Sequence, residues 1–390
     1  RIGSRPRSRL LVALLSAAVL VSSVALRAGA ETAPLARAVD APGMTVADID
    51  RSIDFYSRVL DFEKVSDVEV AGESYERMTG GVVGLRVRVV RLRLGEESIV
   101  LSEYLGPRGR PVPADSRSND RWFQHIAIIV SDMDRAYRRL RDHRVEQVSS
   151  GPQTLPDWNP QAGGIRAFYF KDPDGHVLEV LQFPSGKGAA KWQTPSETLF
   201  RGIDHTAVVV ADTEASLRFY RDALGMRVSG ESENYGTEQE HLNDVRGARL
   251  RITSLRAGGG PGVELLEYLT PRDGRPLPSD QRVNDLAHWQ TRLLVDDAAR
   301  AARALRAGGF ELASTDGIHV PEGALGFDGR LVVRDPDGHA MEIVGPWLRG
   351  ADRARRRERD ERSRGLVAKP LRPADIEEAT KATGLRVRSP

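Results

Sequence analysis

The chain has 390 residues, 57 Lys+Arg against 55 Asp+Glu, a formal net charge of +2 and 40% hydrophobic residues. That balance excludes a wholly disordered chain, a collagen and a polytopic membrane protein, and the length suggests two or three domains. Cysteine is absent, which excludes a disulfide scaffold, a thiolate nucleophile, a Cys-ligated zinc or iron–sulfur site and a lipidated Cys anchor.

Residues 1–30 read as an export signal. Arg1, Arg5, Arg7 and Arg9 form a basic start, Leu10 to Leu26 is an uncharged apolar run, and Ala28-Gly29-Ala30 supplies the small residues of a cleavage site before Glu31. The expected destination is periplasmic or extracellular. Retention of the run as an N-terminal membrane anchor is the alternative, although 17 residues is at the short limit for a span. Cleavage leaves 52 basic against 55 acidic residues. Residues 31–38 then form a short mature N-terminal segment.

Four segments follow with one plan: strand, Asp, amphipathic helix. They are MTVADIDRSIDFYSRVL, IAIIVSDMDRAYRRL, TAVVVADTEASLRFYRDAL and TRLLVDDAARAARAL. Ile49, Ile53, Tyr56 and Leu60 in the first, and Thr213, Leu217, Tyr220 and Leu224 in the third, keep helical spacing. Asp48, Asp132, Asp212 and Asp296 or Asp297 stand where an N-cap accepts orphan backbone N–H groups. Gly225 and Gly308 stand where a left-handed C-terminal residue is wanted. Each helix is followed by strand-like stretches, and DPDG between two apolar runs marks a tight hairpin, with His176 and His339 as hairpin caps.

The chain also repeats on a longer period. FYSRVLDF at 55–62 recurs as FYRDALGM at 219–226, SEYLGPRGRPVPADSRSND at 102–120 as LEYLTPRDGRPLPSDQRVND at 266–285, and KDPDGHVLEV at 171–180 as RDPDGHAMEI at 334–343. The near-constant offset predicts two homologous domains, 39–184 and 200–347, joined by a polar linker, 185–199. The paired PRGRPVP and PRDGRPLP loops read as rigid bridges between modules. Residues 348–390 form a charged tail; its segment 349–364 carries eight Arg against four acids and reads as a solvated face rather than a nucleic-acid surface. Pro373 to Gly384 reads as one short terminal helix.

The βα-plus-strands order, the DPDGH-x-x-E endings and the placement of His and Glu resemble the vicinal oxygen chelate superfamily, which includes glyoxalase I, extradiol dioxygenases, and bleomycin- and fosfomycin-resistance proteins. The resemblance implies an α+β fold: two tandem glyoxalase-like domains, each a pair of βαβββ modules forming a curved mixed sheet around a cup. It further implies that each half forms one cup, with one ligand from the first strand and one from the last strand of each module.

Carried over position by position, the resemblance places His205, Glu267, Gln290 and Glu342 around a divalent metal in the second half, with Glu267 or Glu342 as general base. His288, two residues before Gln290 and on the same strand face, competes with it for the position. The first half offers Glu103, His125 and Glu179, but its first-strand position falls on Ala41. Imidazole, amide oxygen and carboxylates suit Zn, Ni, Mn or Fe(II). His241, in NYGTEQEHLND, lies in a connection that either has a structural role or closes over a pocket. Trp122, Phe123 and Trp289 either wall a pocket or pack the core.

The implied activity is that of an exported, divalent-metal-dependent lyase or isomerase acting on a small molecule with vicinal oxygens. An extradiol-type ring-cleaving dioxygenase and a non-catalytic, antibiotic-type binding protein are the alternatives. No nucleic-acid partner and no membrane span after signal removal are expected, and a homo-oligomer is compatible with the sequence.

Overall fold

The computed structural model describes residues 33–71, 86–313, 318–319 and 329–346. The export signal and the charged tail with its short helix lie outside the described residues. No described helix is long and apolar enough to cross a membrane.

The four-module plan is present. Module one comprises β1 (Ala36–Val46), α1 (Ile49–Leu60), β2 (Glu63–Ala71), β3 (Arg86–Leu94) and β4 (Glu97–Tyr104). Module two comprises β5 (Gln124–Val130), α2 (Met133–Asp142), two-residue strands β6 (Glu146–Gln147) and β7 (Gln153–Thr154), β8 (Arg166–Lys171) and β9 (Val177–Gln182). One turn of helix, α3 (Ala190–Gln193), interrupts the linker. Module three comprises β10 (Phe200–Val210), α4 (Thr213–Leu217) running into a wider π-turn at Arg218–Ala223, β11 (Arg227–Tyr235), α5 (Thr237–Asn243), β12 (Arg249–Arg256) and β13 (Gly262–Thr270). Module four comprises β14 (Trp289–Val295), α6 (Ala298–Ala307), β15 (Ile318–His319), β16 (Gly329–Arg334) and β17 (Ala340–Gly345).

Local chemistry sets the punctuation. Asp48, Asp132, Asp212 and Asp297 each accept a hydrogen bond from the backbone N–H three residues on, so all four helices start on the expected cap. Gly225 adopts φ +77°, but at the end of α6 it is Gly309, at φ +81°, and not Gly308 that takes the left-handed conformation. In the DPDGH turns, His176 Nδ1 lies 2.8 Å from Asp172 Oδ2 and His339 Nδ1 2.9 Å from Asp335 Oδ2. The Tyr56 and Tyr220 hydroxyls donate to the same two carboxylates. These histidines are hairpin caps, as expected.

Two mixed sheets of eight and nine strands carry the fold, and each draws on both sequence halves. The first sheet joins modules one and four through the antiparallel pair β1–β14; the second joins modules two and three through β5–β10. The α+β class and the paired-module cups stand, but the partners differ from the expectation that 39–184 and 200–347 would each close one cup. What unites each half is its helical core. One core packs Ile49, Tyr56 and Leu60 of α1 with Met133 and Leu140 of α2; the other packs Leu217 and Tyr220 with Ala301 and Leu305 of α6. Burial of these apolar stripes, worth about 25 cal/mol per Å², holds each half together.

The repeated Pro/Arg loops lock the crossing. Arg110 donates from its backbone N–H (2.8 Å) and guanidinium (2.6 Å) to Asp285, and Arg275 does the same to Asp120, at 3.0 and 2.7 Å. Each loop therefore clamps the opposite half. The approach is so close that a Cβ on Gly109 would lie 1.9 Å from Asn284 O, and one on Gly274 1.9 Å from Asn119 O. Gly109→Ala and Gly274→Ala are each expected to cost at least about 1–3 kcal/mol, because backbone stands on both sides of the clash. Chemical denaturation at pH 7 checks this; unchanged midpoints in both variants would show that the loops do not hold the halves together.

Candidate metal centre

The nine-stranded sheet places four ligand-type side chains on its central strands. In the register, His125 of β5 is opposite Ala207 of β10, which is beside Glu264 of β13; His205 of β10 is opposite Ala127 of β5, which is beside Glu179 of β9. Steps of two residues keep His125 with Ala127, and His205 with Ala207, on one face. The two alanines leave the space between the four polar groups unfilled. The result is a cup floor with a His and a Glu from each module.

One ligand atom each from His125, Glu179 and His205 lies within 4.8 Å of the others, and all three residues are buried. His205 Nε2 is 3.3 Å from Glu264 Oε2 and 3.7 Å from Glu179 Oε2; His125 Nε2 is 3.2 Å from Glu179 Oε2. Yet neither ring nitrogen of His125 has a hydrogen-bond partner, though the residue is 1% exposed. A buried imidazole left so is costly unless something else binds it. Two imidazoles and two carboxylates with an orphaned buried nitrogen fit a borderline divalent ion.

A supporting shell orients the ligands. Asp204 Oδ2 lies 3.1 Å from His205 Nδ1, which leaves Nε2 for the cup, and Asp204 is itself held by Arg256 at 2.7 Å and Trp192 Nε1 at 2.8 Å. Ser254 Oγ donates to Glu264 Oε1 at 2.5 Å. Burial alone would lower the His205 pKa, but the carboxylates of Glu264, Asp204 and Glu179 outweigh it and raise it to about 9. The same surroundings, led against burial by the His205 hydrogen bond, hold Asp204 well below the usual carboxylate range. The site is rich in negative charge and calls for a cation.

Of the residues expected at the metal, the structure brings together His125, Glu179 and His205, from what the sequence divides between two halves. Glu264, whose Oε2 lies 3.3 Å from His205 Nε2, stands beside this set and was missed. ELLEYL offers two glutamates three residues apart, on opposite strand faces, and the repeat with SEYL drew attention to the wrong one. Glu267 lies on the helix side of its strand: its Oε2 accepts from Thr213 N at the start of α4, as Glu103 accepts from Ile49 N at the start of α1. Both are helix-terminus acceptors, not ligands.

Gln290 and Glu342 sit in the other sheet, at positions equivalent to His125 and Glu179, but Ala41 and Val100 stand at the remaining two. Arg292 takes the place of Ala127. Its Nε donates to Glu342 Oε2 at 2.9 Å, Arg330 also contacts Glu342, and Gln290 Nε2 donates to it at 3.3 Å. Burial would raise the Glu342 pKa, but Arg292 and Arg330 lower it. Guanidinium groups thus supply the positive charge in this cup, and Glu342 has no free lone-pair face for a metal or a substrate proton.

His288 is 4% exposed and its Nε2 has no hydrogen-bond partner. Burial, reinforced by Arg334, lowers its pKa to about 4. A histidine depressed in the fold costs stability as pH falls below 6.5, where only the unfolded chain takes the proton, until the folded group titrates near 4. Between pH 7 and pH 5 wild type is expected to lose about 2 kcal/mol more than His288→Gln. Urea denaturation of both proteins at the two pH values reads this difference; parallel losses would refute a neutral buried His288.

A cavity of about 610 Å³ opens over His125, Glu179, His205 and Glu264. Tyr169, with its ring centroid 4.9 Å from that of His125, also lines it, while Trp122, Phe123 and Trp289 line a separate cavity of about 570 Å³. A sequence profile described as the Glyoxalase/Bleomycin resistance protein/Dioxygenase superfamily matches residues 38–180 and 202–343. The chain belongs to that superfamily. The glyoxalase-like chain is 33% identical over 157 residues to a 2-epi-5-epi-valiolone epimerase of an Actinomyces species, covering 39% of this chain and 83% of the epimerase. It is 24% identical over 183 residues to a lactoylglutathione lyase of Arabidopsis thaliana, covering 47% of this chain and 53% of the lyase. Among solved structures, glyoxalase I of Zea mays superposes with a TM-score of 0.51 at 16% identity, over 79% of this chain and 92% of that one, a likeness of fold alone.

Proposed function

We propose that this glyoxalase-like protein is an exported, divalent-metal-dependent lyase or isomerase whose one metal centre is His125, Glu179, His205 and Glu264. The observation that carries the reading is the buried His125 imidazole, which makes no aligned hydrogen bond and whose ligand atom lies within 4.8 Å of those of Glu179 and His205. Similarity to an epimerase and a lyase supports the reaction class.

A bound divalent ion would supply Lewis acidity toward the vicinal oxygens of a substrate, lowering the cost of removing a proton from the adjacent carbon. The chain supplies the rest. Glu264 is the more open of the two carboxylates, with 19% of its side chain exposed against 6% for Glu179. Ser254 fixes its Oε1 and leaves Oε2 to take the proton. Proton transfer is therefore assigned to Glu264 in place of Glu267 and Glu342.

The test is deuterium exchange in D2O, followed by NMR, across a panel of 2-hydroxyketones and diketones with metal-loaded protein. Metal-dependent exchange at the carbon beside the carbonyl is expected, and Glu264→Gln is expected to slow it by roughly 10²–10⁴. Full exchange in that variant would remove Glu264 as the base. Two His and one carboxylate within 4.8 Å also match the donor inventory of ring-cleaving iron enzymes. Oxygen uptake with catechol and Fe(II), without proton exchange on any ketone, would select that second reading. The proposed export is tested by N-terminal sequencing of the protein from a producing cell's exterior, with cleavage expected after Ala30.

A further inference from the structure

Two hydroxyl side chains stand at equivalent places in the metal-bearing cup and are used differently. On the module-three side, Ser254 of β12 is directly opposite Glu264 of β13; on the module-two side, Tyr169 of β8 is directly opposite Glu179 of β9. Ser254 Oγ donates to its carboxylate at 2.5 Å. The Tyr169 hydroxyl makes no hydrogen bond with any described residue, Glu179 included, although the residue is 4% exposed. A phenol so buried normally finds a partner.

Side-chain length explains the difference. A serine oxygen sits next to Cβ and stays over its own strand pair. The tyrosine ring carries its oxygen inward. It spans β9, because its centroid is 4.9 Å from that of His125 on β5, the next strand beyond, and it lines the cavity over the metal ligands. Burial, then Glu179, then Tyr268 and Glu264 push the phenol pKa well above 10, so the group is a donor at neutral pH. In the sister cup the equivalent positions hold Val332, opposite Glu342, and Arg91, opposite Val100. The aromatic hydroxyl thus accompanies the imidazoles and carboxylates and is absent where guanidinium groups replace the ion.

We infer that Tyr169 is a further catalytic residue, whose hydroxyl donates to the substrate oxygen that gains negative charge as the proton leaves carbon. This inference rests on the proton-transfer reading of the cup. When Glu264 Oε2 takes the proton, the C–H electron pair becomes the second bond between the two carbons, and the carbonyl pair moves onto oxygen. The Tyr169 O–H keeps its own proton and stabilises that oxygen; return of a proton from Glu264 to carbon restores the carbonyl. Base and donor come from opposite walls, β13 and β8, so both reach one substrate. The donor accelerates the step because its hydrogen bond is stronger to the charged oxygen than to the neutral carbonyl.

The test uses Tyr169→Phe, which keeps the ring beside His125 and removes only the oxygen. Two probes are titrated by calorimetry into the metal-loaded full chain: acetohydroxamate, which presents two adjacent oxygens with a negative charge, and hydroxyacetone, which presents two adjacent neutral oxygens. Metal content and melting temperature are measured on the same samples.

The variant is expected to match wild type in metal content and melting, to bind hydroxyacetone within about twofold of wild type, and to bind acetohydroxamate roughly tenfold more weakly. Proton exchange in D2O is expected to slow roughly tenfold in kcat with KM little changed. Equal acetohydroxamate affinity in the two proteins, an equal loss on both probes, or loss of the metal in the variant overturns the inference alone, the last two by assigning Tyr169 to packing. Failure of wild type to bind either probe in a metal-dependent way overturns the chelation reading, and the inference with it.

Discussion

Metal analysis of the purified chain is expected to find one divalent ion per chain, lost in His125→Ala, His205→Ala and Glu179→Ala and retained in Glu342→Ala. The expectation follows from which strands are neighbours. His125, Glu179, His205 and Glu264 share four adjacent strands and one concave face, while Gln290 and Glu342 belong to the other sheet, beside Arg292 and Arg330. Removing a ligand leaves a weak three-donor site and widens the gap already opened by Ala127 and Ala207. Asp204→Asn acts more gently. It keeps the imidazole but removes the charge that fixes its Nε2 toward the cup, and a 10- to 100-fold loss of affinity is expected. Mass-spectrometric metal content beside a competition titration reads both effects. Loss of the ion in Glu342→Ala with retention in His125→Ala would mean that the metal sits among His205, Gln290 and Glu342 after all, and that the sheet pairing is wrong.

Much of this architecture is legible in the residues. Periodicity, the Asp caps and the DPDG hairpins give the module plan, because each depends on neighbours a few positions away. Which module pairs with which is not local. All four first strands present similar edges, and the 164-residue repeat is equally served by pairing one with two or one with four. The helical cores do follow the halves, with α1 against α2 and α4 against α6, so the repeat reports real packing while the ladders cross it.

One sequence signal bears on the pairing, and it is chemical. Modules two and three each carry a His on the first strand and a Glu at the matching place on the last, at His125 with Glu179 and His205 with Glu264. Modules one and four put Ala41, Val100 and Gln290 at three of their four positions. The two–three pairing gathers two imidazoles and two carboxylates, where a three–four pairing would offer His205, Glu264, Gln290 and Glu342, with an amide in place of one imidazole. Glu264 itself was obscured by Glu267, whose helix-terminus role is shared by Glu103 and leaves no trace in spacing.

Glu342→Ala is expected to keep the metal and lose about 3–5 kcal/mol of stability, the largest thermodynamic effect of any single change considered. The carboxylate is 1% exposed, and Arg292 and Arg330, at 8% and 4%, are buried around it. Deleting it leaves guanidinium charge in a region that water does not reach, and Asp40, already holding Arg91 at 2.8 and 2.9 Å, cannot neutralise all of it. Glu342→Gln keeps the shape and the acceptor oxygen but not the charge, so it should fall between wild type and alanine. Melting curves on metal-loaded samples read the order wild type, glutamine, alanine. The same experiment decides what the second cup is for. If Glu342 were a base or a ligand, its loss would spare stability and remove activity or metal; if guanidinium groups stand where the sister cup takes an ion, activity per folded molecule is retained and stability falls. The second outcome is expected, because a cation built into the chain binds its carboxylate at every metal concentration and so leaves that half of the fold independent of supply.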